Sequence, residues 1–92
     1  MAATAGRVDI MTDEEFEILD ELYFVQKYEY LLAELNLTKD ALVQNLINLY
    51  HKGWIKILSD VDLEATKDQV AAANLENYYF LATKKGLLAH NS

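Results

Sequence analysis

The sequence predicts a small α+β domain, helical in its first half and closed by two short strands and a last helix. Three observations predict it. Between residues 12 and 51, apolar residues recur at helical spacing behind residues suited to cap helices. Short β-rich runs follow at 54–59 and 77–82. The chain has 92 residues, 52% of them hydrophobic, enough for one small core and no second one.

The first helix is expected near 13–23. Thr12 followed by Asp13, Glu14 and Glu15 forms a capping box, with carboxylates where the helix dipole favours them. Phe16, Leu19, Leu22 and Tyr23 then form an apolar stripe flanked by Ile18. A second helix is expected near 27–35, with Leu31, Leu32 and Leu35 apolar, and Asn36 ends it because asparagine tolerates the left-handed conformation. Thr38 caps a third helix near 39–51, opened by Lys39 and Asp40. Its stripe is Leu42, Leu46 and Leu49, helped by Val43 and Tyr50. Lys52 lies in its last turn and Gly53 supplies the C′ residue with positive φ, so that Trp54 turns into a strand.

Residues 59–76 carry two patterns. Ile55, Ile57, Ser59, Val61 and Leu63 alternate as a strand would, whereas Leu63, Val70 and Ala73 share a helical face and Ala71–Ala73 favours helix. Both readings stand, and the segment is taken as a flexible tip with a strand before it. A returning strand at 77–82 and a helix near 83–89 complete a single domain over 12–90, behind a flexible N-terminus at 1–11.

Leu31, Leu35, Leu37, Thr38, Leu42, Leu46, Leu49, Lys52, Gly53 and Ile55 stand in an order that resembles the winged helix-turn-helix family. Thr83-Lys84-Lys85-Gly86-Leu87-Leu88 looks like the Leu-Thr-x-x-Gly segment with which many winged-helix regulators close their wing. The resemblance covers residues 12–88. It implies a three-helix core, a two- or three-stranded antiparallel wing and a short C-terminal helix. It also implies that Lys39, Gln44, Asn45 and Asn48 face outward on a recognition helix. There Gln and Asn can pair with adenine edges in the major groove.

Charge weighs against a strong nucleic-acid site. Lys+Arg number 8 against 15 Asp+Glu, a net of −7. Arg7 is the last arginine, and Lys67 in the expected wing lies among Asp60, Asp62, Glu64 and Asp68. Few phosphates could then be neutralised. Catalysis is not expected either. There is no Cys, only Ser59 and Ser92 and only His51 and His90, and no Gly-rich phosphate loop. Asp60, Asp62 and Glu64 have a calcium-like spacing but lack the turn glycine and closing glutamate, and read as a solvated acidic hairpin. No cofactor, metal, small-molecule ligand or membrane contact is implied. Met1–Gly6 offers no basic start for a secretory signal, so a cytoplasmic location is expected.

Large rings exceed what one small core needs. Tyr23, Phe24, Tyr28, Tyr30, Tyr50, Trp54, Tyr78, Tyr79 and Phe80 point to an interaction surface. The expected function is a small regulator-like module acting mainly through protein contacts, with a second copy or another protein as partner. Phe24, Tyr28, Leu87 and Leu88 are its expected interface. A dimeric, sequence-specific DNA-binding transcriptional regulator is the alternative.

Overall fold

A computed structural model describes residues 11–72 and 74–91. The expected N-terminal segment, apart from Met11, lies outside the described residues, as does Ala73. The described chain runs through α1 (Asp13–Glu21), β1 (Gln26–Lys27), α2 (Tyr28–Glu34), α3 (Lys39–His51), β2 (Ile55–Asp60), β3 (Leu63–Glu64), α4 (Lys67–Ala72), a 3-10 turn (Leu75–Asn77), β4 (Tyr79–Ala82) and α5 (Lys84–His90). The strands form one antiparallel sheet in the order β1-β4-β2-β3. Its centre is the β2–β4 pair, in register from Ile55 opposite Ala82 to Leu58 opposite Tyr79. The α+β class expected from the sequence is the one observed.

α1 opens as the capping box requires. The Thr12 hydroxyl accepts from Glu15 N at 3.1 Å, and Glu15 Oε1 accepts from Thr12 N at 3.0 Å. Its inward face differs from the expected stripe. Ile18, Leu19 and Leu22 are fully buried beside Glu15, whereas Phe16 and Tyr23 are exposed. The face follows the i, i+3, i+4, i+7 spacing of 15, 18, 19 and 22. Apolarity alone misplaces it, because one of the four positions is a glutamate.

α2 packs Leu31 into the core and ends as Leu35 turns to extended backbone. No non-glycine residue described has positive φ, so Asn36 does not end the helix in the left-handed way expected of it. The two-residue β1, too short to carry an alternation, pairs Gln26 with Phe80 and Lys27 with Tyr79.

α3 runs over the expected residues. The Thr38 hydroxyl accepts from Ala41 N, and Leu42, Leu46 and Leu49 are fully buried. Its end is a Schellman motif: Trp54 N donates to Leu49 O, Gly53 N donates to Tyr50 O, and Gly53 has φ 77°.

Between β2 and β4 each sequence pattern holds over part of the segment: the strand reading up to Asp60 and again at Leu63–Glu64, and the helical reading over Val70, Ala71 and Ala72. β2 stops at Asp60, turns through a bulge into β3, and α4 follows. Thr66 and Gln69 cap α4 reciprocally: Thr66 N donates to Gln69 Oε1 at 2.8 Å, and Gln69 N donates to the Thr66 hydroxyl at 3.1 Å. The Asn74 side chain accepts from Glu76 N and holds the 3-10 turn, so β4 begins at Tyr79 rather than at 77. Tyr78 therefore precedes the strand.

The start of α5 is locked to the end of α3. Thr83 N donates to Trp54 O at 2.9 Å, and the Thr83 hydroxyl donates to Gly53 O at 2.7 Å while accepting from Gly86 N. Gly86 lies so close that a Cβ there would stand 2.1 Å from the Trp54 carbonyl oxygen.

Candidate functional site

The outer face of α3 carries three of the four residues expected to face outward. Lys39, Gln44 and Asn48 are exposed. Gln44 and Asn48, one turn apart, are bonded to each other, Nε2 donating to Oδ1 at 3.2 Å. Asn45 is the correction. It is only 8% exposed, and its Nδ2 donates to Glu14 Oε1 at 3.0 Å and to Ala41 O at 2.8 Å. One residue further round the helix than Gln44, it falls on the seam with α1 and ties the two helices together.

At the C-terminal end of α3 a depression of about 380 Å³ is lined by Tyr50, His51, Ile55, Lys56, Glu64 and Lys67, among others. Lys85 lies over neighbouring Gly53, its Nζ 4.0 Å from where a Cβ would be. Among the described residues Lys56, Lys67 and Lys85 form no ion pair. This gathering joins positions far apart in the chain, and only the fold brings it about.

The expected interface residues separate into two groups. Phe24 is 76% exposed and Leu88 62% exposed, whereas Leu87 is half-buried against the core. Tyr28 is a second correction: at 2% exposure it belongs to the core and is closed to a partner. In its place the structure adds Phe16 and Tyr23, exposed rings that both meet His90 where α1 packs against α5.

His90 clasps that junction. Its ring stacks on Phe16 with centroids 4.2 Å apart, and its Nδ1 meets the Tyr23 hydroxyl at 3.0 Å. Asn91 Nδ2 donates to the same hydroxyl at 3.0 Å, which leaves the hydroxyl proton for His90 Nδ1. Asp20 stands 3.6 Å from Nε2. Nothing in the neighbours of His90 along the chain signals the clasp.

A buried ion pair was also beyond the sequence. Lys52 donates to both Glu15 oxygens at 2.9 Å, and its Nζ lies 4.6 Å from the centre of the Trp54 ring. It joins the start of α1 to the end of α3. The Tyr30 hydroxyl donates to Glu21 at 2.9 Å. That bond, then burial and carboxylate charge, hold the Tyr30 phenol above its ordinary 10.0. Among the described residues no group of three His, Cys, Asp or Glu stands where it could hold a metal ion, and no helix is long and apolar enough to cross a membrane.

No protein-family model matches the chain, and neither a curated protein nor a solved structure does.

Proposed function

We propose that the chain is a small, regulator-like winged helix-turn-helix module that acts mainly through protein contacts, self-association included. The element order supports the winged-helix reading: α1 to α3 around the core, β2 and β4 as wing strands, β1 on the far side of β4, and α5 closing behind. The contact role rests on one observation, the exposure of Phe16, Tyr23, Phe24 and Leu88 on α1, the turn after it and α5 of a molecule this small. A closed two-fold pair is the commonest cover for such a patch. Asp13, Glu14, Glu17 and Asp20 are exposed on the same helix, so the seam uses the aromatic edge and leaves the carboxylates in water. Sedimentation at micromolar concentration tests it. A mass near twice 10.5 kDa is expected, with Phe24→Asp and Leu88→Asp each reducing it. A monomer at high concentration removes self-association and leaves a different protein as the cover for these side chains.

The second reading, a DNA-binding regulator, is favoured by Lys56, Lys67 and Lys85 around the end of α3. Three cations per chain give a log–log salt slope of roughly −3. Labelled random duplex, titrated at two salt concentrations, is expected to bind no tighter than about 10⁻⁴ M. A tight, steeply salt-dependent complex promotes this reading over the first.

A further inference from the structure

β3 forms one edge of the sheet, with no strand beyond it among the described residues. Ala65 N donates to Ile57 O at 2.9 Å, and the Ser59 hydroxyl donates to Leu63 O at 3.3 Å. Residues 63 and 65 therefore turn backbone groups towards β2. The alternation of an antiparallel ladder then turns the N–H and carbonyl of Glu64, which stands opposite Leu58, to the open side. Among the described residues no hydrogen bond outside the ladder reaches them. An open edge of this kind is a template for another extended chain.

The side chains around that edge decide which chain it suits. Val61 is 56% exposed and Leu63 61% exposed, at the tip of the hairpin that joins β2 to β3. Asp60, Asp62 and Glu64 alternate with them, all exposed, and none forms an ion pair among the described residues. From Lys56 to Asp68 four carboxylates stand against two lysines. A second copy is a poor occupant, because pairing two such edges sets carboxylate against carboxylate. A basic segment is a good one. Successive residues of a strand face opposite ways, so a segment that alternates cations with apolar residues sets the cations beside Glu64 and the apolar groups beside Leu63.

We infer that β3 receives an extended basic segment of another protein as a fifth strand of the sheet. The residue opposite Glu64 exchanges backbone hydrogen bonds with it, cations on that face meet the Glu64 and Asp62 carboxylates, and an apolar residue covers Leu63. The same carboxylates repel phosphates, so a nucleic acid is not the occupant. The edge shares no residue with Phe16, Tyr23, Phe24 or Leu88, and its use does not depend on self-association.

Amide chemical shifts of the full chain, followed by NMR as the peptide acetyl-Lys-Val-Lys-Val-Lys-amide is added, test edge addition. Saturable shifts are expected at residues 58 and 61–65, with the Glu64 amide among the largest. The acidic peptide acetyl-Glu-Val-Glu-Val-Glu-amide should bind about ten-fold more weakly or less. N-methyl groups on the lysine amides remove the donors that face β3 and should weaken the basic peptide about five-fold. N-methyl groups on the valine amides, which face away from β3, should leave its binding nearly unchanged. Asp62→Asn combined with Glu64→Gln, both at exposed positions, should weaken the basic peptide about ten-fold, and Leu63→Ser about five-fold. Edge addition is overturned if the basic peptide does not saturate in the high millimolar range, or if its shifts saturate only outside residues 58–65. It is equally overturned if the acidic peptide binds as tightly, or if the two patterns of methylation weaken binding alike.

Discussion

Gly86 and Gly53 are the two positions where the backbone itself makes demands. A methyl group at Gly86 would meet the Trp54 carbonyl oxygen at 2.1 Å, and neither backbone can give way without breaking the Thr83 bonds. Gly86→Ala should cost about 3 kcal/mol, the upper end for overpacking, measured by denaturant unfolding. A Cβ at Gly53 would meet only the Lys85 side chain, at ordinary van der Waals distance, but the residue has φ 77°, so Gly53→Ala should cost about 1–2 kcal/mol and the β-branched Gly53→Val more. Lys52→Met leaves the Glu15 carboxylate, 3% exposed, without its cation. It should cost about 3 kcal/mol, near the low end for a broken buried pair because Lys52 is itself 23% exposed. Tyr28 and Tyr30 ionise above 10.0 in the folded chain. The folded state then holds protons that the unfolded state has released, so these two groups stabilise fully below pH 10 and lose that contribution as pH rises through their folded values. Alkaline titration of tyrosinate absorbance should show Tyr28 and Tyr30 ionising later in the folded chain than in the unfolded one.

At the scale of elements, α1 is tied to two neighbouring helices. α1 is joined to α3 through Glu15–Lys52 and Glu14–Asn45, and to α5 through the His90 clasp. α5 is seven residues long and cannot stand alone, so its order depends on those ties. His90→Ala removes the stacking on Phe16 and the bond to Tyr23. It should speed amide exchange at residues 84–90 by about ten-fold, the equivalent of an aromatic pair worth roughly 1 kcal/mol, while α3 keeps its protection. Uniform loss of protection would mean that α5 does not open separately.

For the molecule as a whole, the fold separates its surfaces. The exposed rings Phe16, Tyr23 and Phe24 lie on α1 and the turn after it, Lys56, Lys67 and Lys85, which form no ion pair among the described residues, collect at the end of α3, and a small depression lies between α2, α3 and the 3-10 turn. Contact with a second copy therefore need not obstruct either depression. In sedimentation, Phe24→Asp should lower the mass and Lys56→Gln should not.

Capping and spacing were legible in the sequence because they are local. Thr12, Thr38 and Thr83 cap the helices they precede, and Gly53 takes the positive φ that ends α3, each within a few residues of its partner. The Thr66–Gln69 box that opens α4 is an equally local signal, just past the strand alternation of residues 55–63. The rest depends on groups distant in the chain. Whether Phe16 or Glu15 faces inward depends on Lys52, 37 residues from Glu15, which neutralises the carboxylate and so admits it to the core. Whether Asn45 meets solvent depends on Glu14, and whether His90 is a tail residue depends on Phe16 and Tyr23. Tyr28 looks like any peripheral tyrosine until the packing of α2 closes over it and leaves its hydroxyl facing groups from α3 and the 3-10 turn. Local hydrogen bonding determined where the elements begin and end. Only the tertiary structure decided which polar groups those elements bury, because burial is stable where a partner from elsewhere in the chain supplies the charge or hydrogen bond that water would have supplied.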